Sequence, residues 1–161
     1  MLTNPRTTHT PHATGPQNMF LHLFIISRSG GLIYNKDLSV SAPRLTVNEW
    51  LVLGSTFHGL HSIAAQVAPL ASSGIEKLEC DNLKLQCFQS RTGVKFVLTA
   101  EPGTPDLDNV LHGIYELYAD YVLKNPFYEM DMPIRCELFQ QGVERLIERN
   151  SRELKKARSD A

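Results

Sequence analysis

Phe20-Leu21-His22-Leu23-Phe24-Ile25-Ile26 is apolar on both alternating faces, with His22 as the one polar interruption. A strand with one wet side would alternate apolar with polar residues, so this pattern predicts a central strand covered on both sides. Just downstream, Ser29-Gly30-Gly31 supplies a turn and Leu32-Ile33-Tyr34 makes a second, shorter strand. Upstream, residues 1–18 are rich in Thr, Pro and His and poor in apolar side chains. Such a segment has no burial to offset its ordering entropy, and a disordered tail is the expectation. Met19, directly before the first strand, is a candidate physiological start, with Met1 the alternative.

Residues 35–45 bridge to a helix that opens with Thr46-Val47-Asn48-Glu49, the pattern of a capping box. Trp50, Leu53, Phe57, Leu60, Ala64 and Val67 recur at three- and four-residue spacing, an apolar stripe ending before Pro69. The opposite face carries Ser55, His58, Gly59 and Ser62. An ordinary solvent face would carry Lys and Glu, so this one reads as a covered surface: a partner interface, or packing within the domain.

Three strands are expected next. Leu78 and Cys80 alternate with charge in the first, and Asp81-Asn82 turns the chain. Leu83, Leu85 and Cys87 face one way in the second, with Lys84 and Gln86 opposed; Phe96, Leu98 and Ala100 line one side of the third. Antiparallel hairpins with one wetter face follow from this alternation. Thr104 is placed to cap a second helix with Pro105 at its first position. Leu107, Val110, Leu111, Ile114, Leu117, Tyr118 and Tyr121 form its stripe, and it should end near Lys124, before Pro126. A third helix is expected over residues 136–149, with 151–161 as a frayed, charged tail.

Strand-strand-helix, three strands and two helices make an α+β layer architecture. The expectation is a five-stranded, mostly antiparallel sheet with two long helices and a short C-terminal helix. Domain boundaries follow: tail 1–18, domain 19–150, charged tail 151–161.

Composition sets bounds on function. With 161 residues, one domain is the natural expectation. A net charge of −1 offers nothing to hold a nucleic-acid backbone. The longest apolar run, Leu23-Phe24-Ile25-Ile26, falls far short of the ~20 residues that span a bilayer. No export signal precedes Cys80, Cys87 and Cys136, so free buried thiols in the cytosol are expected.

Catalytic chemistry finds little support. His58 and His61 lie three apart, but Cys80 and Cys87 lack the CxxC spacing of a zinc site. Cys136 would need a base to act as a nucleophile, and no motif links it to His58, His61 or His112. Gly30-Gly31 fits neither phosphate-binding glycine pattern. No catalytic residue, metal or cofactor is expected.

One connection is unusually apolar: Leu123-Lys124-Asn125-Pro126-Phe127-Tyr128-Glu129-Met130-Asp131-Met132-Pro133-Ile134-Arg135-Cys136-Glu137-Leu138-Phe139. Phe127, Tyr128, Met130 and Met132 between the two prolines should fold back onto the core. Facing a partner is the alternative.

That stretch, with Ser73-Gly74-Ile75-Glu76 and Cys87-Phe88-Gln89-Ser90, resembles the synbindin family, small longin-type subunits of the TRAPP vesicle-tethering complexes. The resemblance runs from about residue 19 to 146. It implies a longin-like domain and the form lacking the PDZ-like insertion that animal members carry in the bridge after the second strand. It also implies a function: a TRAPP subunit in ER-to-Golgi transport, part of a multi-subunit platform that promotes GDP release from a Rab-family GTPase. The chain would be no enzyme by itself. Implied partners are other TRAPP subunits, especially a smaller longin-type sister, and the Rab GTPase through the complex. The implied location is cytosolic, peripheral at endoplasmic reticulum and cis-Golgi membranes. The candidate interface residues are Ser55, His58, Gly59 and Ser62 on the first helix, then Asn125, Phe127, Glu129, Met130 and Arg135 in the late loop. A longin-type regulatory or adaptor small subunit of another trafficking complex is the alternative function.

Overall fold

The computed structural model describes residues 19–161, so the expected tail over 1–18 lies outside the described residues. Strands β1 (Phe20–Ile26), β2 (Leu32–Asp37), β3 (Lys77–Cys80), β4 (Leu83–Gln89) and β5 (Lys95–Ala100) form one sheet in the order β2-β1-β5-β4-β3. Every neighbouring pair is antiparallel. Helix α1 (Val47–Val67) covers one face, and α2 (Leu107–Tyr118) and α3 (Glu137–Ser159) cover the other. This is the α+β architecture and the longin element order read from the sequence.

β1 sits between β2 and β5, and its two faces feed two cores. Phe20, Leu23 and Ile25 join Phe96, Leu98, Leu111, Ile114, Tyr118, Phe139 and Val143 under α2 and α3. Phe24 and Ile26 join Leu85, Cys87, Val97, Trp50 and Phe57 under α1. β5 is likewise buried along its whole length. The expectation of one wetter face therefore fails at β5, because helices pack on both sides of the sheet centre, and at the edge strand β3, where both faces are exposed; it holds at β4, where Leu85 and Cys87 are buried and Lys84 and Gln86 are half-buried.

α1 begins as expected. The Thr46 hydroxyl accepts from the Glu49 amide, and the Glu49 carboxylate accepts from the Thr46 amide at 2.7 Å, closing the capping box. α2 differs at its start. Thr104 is fully buried and donates to the Glu101 carbonyl at 2.7 Å, while the cap position falls to Asp106 in a left-handed conformation (φ 58°). The hydroxyl is thus consumed within the preceding turn, and Pro105 lies outside the helix. At its other end α2 passes into a π-helical turn, Ala119–Leu123, before Pro126 stops it.

The third helix is long, running Glu137–Ser159, so the expected frayed tail is mostly helix. The reason is visible in its inner face: Phe139, Val143, Ile147 and Ser151 are buried, and Leu154 packs on the same core a turn later. Charge on the outer side hid this stripe. α2 and α3 approach closely through two glycines. A Cβ on Gly113 would lie 3.1 Å from Leu146, and one on Gly142 would lie 2.9 Å from Leu117. Each helix gives the other a notch for a leucine.

Candidate partner surfaces

α1 buries Trp50, Gly54, Phe57 and His61. These recur at four, three and four residues and face β1 and β2, with Trp50 edge-on to Phe24 at 6.0 Å between ring centres. The expected stripe is therefore only half right. Leu53 and Leu60 are exposed, the latter by 54%, and Val67 by 74%. His61 takes the inner position instead because both ring nitrogens find partners there. Nδ1 accepts from the Ile75 amide at 3.2 Å, so Nε2 carries the proton donated to Gln89 Oε1 at 2.6 Å. That pair of bonds also ties the chain after α1 back onto the helix.

Leu53, Leu60 and Val67 join Val52 and Ile63 to form an exposed apolar flank along α1. Below it lies a shallow hollow of about 390 Å³ lined by Leu45, Asn48, Glu49, Val52, Leu53 and Thr56. Large side chains lined up in this way leave an apolar helix face in water over roughly four turns. Sequence reasoning missed this flank. The signal was present, since apolar residues cover more of α1 than one sheet contact can bury, but periodicity alone does not say which part turns inward.

The expected interface residues on α1 fall beside that flank. Ser55 is exposed, and Gly59 and Ser62 are half-buried. The Ser55 hydroxyl donates to the Leu51 carbonyl at 2.9 Å, and Ser62 donates to the His58 carbonyl at 2.9 Å. Both hydroxyls are turned back onto the helix, so this side is smooth and weakly polar. His58 departs from the group: its ring lies over the β1–β2 turn, where a Cβ on Gly30 would come within 2.8 Å of it. Gly30, at φ 98°, is needed there twice over, for the turn and for the ring. Burial, then the charges of Lys95 and His61, hold the His58 pKa below its ordinary value.

The late loop is half folded in. Val122 and Ile134 are buried, and the Ile134 amide donates to the Ile33 carbonyl at 2.8 Å, anchoring the loop to β2. Tyr128 reaches across the loop and donates to the Met132 carbonyl at 2.9 Å. The expectation that all four apolar side chains fold back is overturned at three of them: Phe127 is 90% exposed, and Met130 and Met132 are exposed too. The cause is local. Asn125 Oδ1 accepts from the Phe127 amide at 3.1 Å in a tight turn, and Asp131 adopts φ 73°, so the loop closes on itself. Asn125, Phe127, Glu129 and Arg135 line a hollow of about 260 Å³ with Val122, Ile134 and Cys136. Met130 stands outside it.

The cysteines also differ from expectation. Cys87 is buried, Cys136 is half-buried and Cys80 is exposed, because β3 is an edge strand. Burial pushes the Cys87 thiol up to about 12, which leaves it protonated and unreactive near neutrality. The three histidines considered earlier are engaged elsewhere: His61 with Gln89, His58 over Gly30, and His112 against Phe88 at 4.5 Å.

With this geometry in view, comparison with known proteins is direct. The model of the family described as Sybindin-like matches residues 20–150. A Dictyostelium discoideum protein described as trafficking protein particle complex subunit 4 is 50% identical over 127 residues, covering 78% of this chain and 93% of that protein. The Homo sapiens protein of the same description is 50% identical over 116 residues, covering 71% of this chain and 53% of its own length. The chain thus spans about half of that longer relative. A Rattus norvegicus protein described as trafficking protein particle complex subunit 1 is 26% identical over 129 residues, covering 76% of this chain and 88% of that protein.

Proposed function

Because the chain belongs to the Sybindin-like family, we propose that it is a subunit of a TRAPP-type vesicle-tethering complex, using the outer side of α1 as its main partner surface. The observation that carries this is the apolar flank of Val52, Leu53, Leu60, Ile63 and Val67, lined up in water along one helix. Covering it would remove apolar area worth about 25 cal/mol per Å², the usual source of assembly energy. The smooth side of Ser55, Gly59 and Ser62 widens this surface, and His58 borders it. The loop with Asn125, Phe127, Glu129, Met130 and Arg135 is the second partner surface in this reading.

The complex acts in traffic between the endoplasmic reticulum and the Golgi, from the cytosolic side. It promotes GDP release from a Rab-family GTPase, to which this subunit contributes surface rather than chemistry. Exchange of this kind needs no acid or base. A platform that binds the nucleotide-free GTPase more tightly than the loaded form weakens nucleotide by the same coupling free energy. Each tenfold acceleration needs about 1.4 kcal/mol of differential binding.

The test is reconstitution. Tagged chain expressed in its own cells should co-purify with other TRAPP subunits, a smaller longin-type one among them. The recovered complex should release GDP from its Rab, and the isolated chain should not. Recovery of the chain with an unrelated adaptor complex, and none of those subunits, would sink the proposal.

A further inference from the structure

Two hairpin turns sit side by side at one end of the sheet, and their sequences repeat one pattern. Ser27-Arg28-Ser29-Gly30 follows β1, and Ser90-Arg91-Thr92-Gly93 follows β4. The likeness extends to the hydrogen bonds. In the first turn the Ser27 amide donates to the Gly31 carbonyl at 2.8 Å, the Gly31 amide donates to Ser27 Oγ at 3.1 Å, and Ser27 Oγ lies 2.9 Å from Ser29 Oγ. In the second the Ser90 amide donates to the Val94 carbonyl at 2.8 Å, the Val94 amide donates to Ser90 Oγ at 3.2 Å, and Ser90 Oγ lies 2.9 Å from Thr92 Oγ1. Both leading serines are buried and both arginines are exposed. One turn geometry therefore sets Arg28 and Arg91 at equivalent positions, two strand spacings or roughly 10 Å apart.

An arginine at a turn tip is ordinary; the lysine between these two is not. Lys95 opens β5 and pairs with Ile26, the last residue of β1, where the two hairpins adjoin. It is only 4% exposed. Of the three donors on its ammonium, one reaches the Gly93 carbonyl at 3.3 Å. Among the described residues, neither Lys95 nor either arginine makes an ion pair, and the turns themselves contain no acidic residue. A buried charge without a counter-charge is costly. Burial accordingly holds the Lys95 pKa below its ordinary value. Arg28 is drawn to the same place: a Cβ on Gly93 would lie 2.9 Å from Arg28 Cγ, so the arginine stem crosses onto the second turn. His58, whose ring lies against Gly30, adds a buried Nδ1 with no hydrogen-bond partner.

The chemistry of this corner selects its occupant. Arg28, Arg91 and Lys95 offer N–H donors and positive charge with no carboxylate to answer them. A carboxylate ligand would bring a single negative charge. A nucleic acid needs a track of cations along its backbone, and this chain carries a net charge of −1. A phosphate monoester brings about −1.5 to −2 charges and three strong acceptor oxygens, which guanidinium forks match bidentately. Side chains that start roughly 10 Å apart and lean together close on one compact group of this kind.

We propose that the twin turns form a binding site for a phosphate monoester, free in solution or on a lipid headgroup, held between the Arg28 and Arg91 guanidiniums beside the Lys95 ammonium. The apolar flank of α1 takes no part in this contact, and the site does not depend on the TRAPP reading.

The experiment titrates the full, isotope-labelled chain with inorganic phosphate while ionic strength is held at about 150 mM. The amide resonances of Gly30 and Gly93 should shift and saturate, and acetate should leave them in place. Arg28→Gln with Arg91→Gln should weaken binding at least about tenfold at an unchanged melting temperature, since both side chains are on the surface. Lys95→Met, which keeps the length of the buried side chain, should weaken it as well; if that variant fails to fold, the arginine pair decides. No saturable shift, equal shifts with acetate, or an unaffected arginine variant would each overturn the proposal. Vesicles distinguish the two sources. Phosphatidylcholine vesicles carrying phosphatidic acid expose a monoester, and vesicles carrying phosphatidylserine at matched surface charge do not. Preferential capture by the first, competed by inorganic phosphate, would support the site with a lipid headgroup as its ligand. Phosphate binding without that preference would support it with a soluble phosphate.

Discussion

The two sides of the sheet are built to different standards. Under α2 and α3 the apolar side chains of the sheet meet two amphipathic helices, and the glycine notches at Gly113 and Gly142 draw those helices together. Under α1 a smaller set, centred on Phe24, Trp50, Phe57 and Val97, does the same work with one helix. That helix carries a second apolar row which the domain itself never covers. The difference separates two uses of the same residue types: burial that makes the fold, and apolar surface kept back for another chain.

The largest effects belong to the first side. Phe139→Ala and Leu111→Ala should each cost about 3–5 kcal/mol in urea unfolding, since both side chains are fully buried between the sheet and the helix pair. Leu60→Ala on α1 should change stability by less than about 0.5 kcal/mol. Equal losses from Leu60 and Leu111 would erase the distinction between the sides.

Next in size is the link that holds α1 to the chain beyond it. His61→Ala removes the partner of the Ile75 amide and of Gln89, and should cost about 1–3 kcal/mol. Faster hydrogen exchange at the Ile75 amide is the sharper readout, because a simple cavity under α1 would leave that amide protected.

Smallest are two acid effects, both on α1. Bonds from the Thr46 amide and then its hydroxyl hold the Glu49 carboxyl below its ordinary 4.5. A depressed carboxylate stabilises the fold above its unfolded value, so this contribution fades as pH falls below about 4.5. Glu49→Gln should flatten that part of the stability–pH curve. For His58 the unfolded ring takes its proton first, since burial and then Lys95 and His61 depress it in the fold. Stability from this group is complete above about 6.5 and drains as pH falls below it. His58→Asn should remove that slope; a slope of the opposite sign would mean the ring gains a partner in the fold.

Most of the architecture was legible because strand patterns fix faces. The double-sided apolarity of residues 20–26 specified a covered central strand, and its two faces do feed two cores. The Thr46–Glu49 box was equally local and equally sound. Helices were read less well. On α1 too many positions are apolar, so the inward direction is set by where the sheet and the His61 partners lie, which no spacing reveals. On α3 the reverse held: Ser151 and the surrounding charges concealed an inner stripe that continues to Leu154. Thr104 looked like a cap because capping is common, but a buried hydroxyl had an earlier carbonyl within reach.

The α1 flank itself offers the most direct measurement. Leu60→Glu with Ile63→Glu places two charges on side chains that are 54% and 56% exposed in the single chain. Alone, the variant should melt within about 2 °C of the unaltered protein, because neither residue belongs to the core. In the assembly, charges buried without partners cost several kcal/mol, so the variant should no longer capture its partner subunits on purification. Full capture by the folded variant would contradict the assignment of this flank as a partner surface, and a fall of more than about 5 °C in its own melting temperature would show that the domain already uses it.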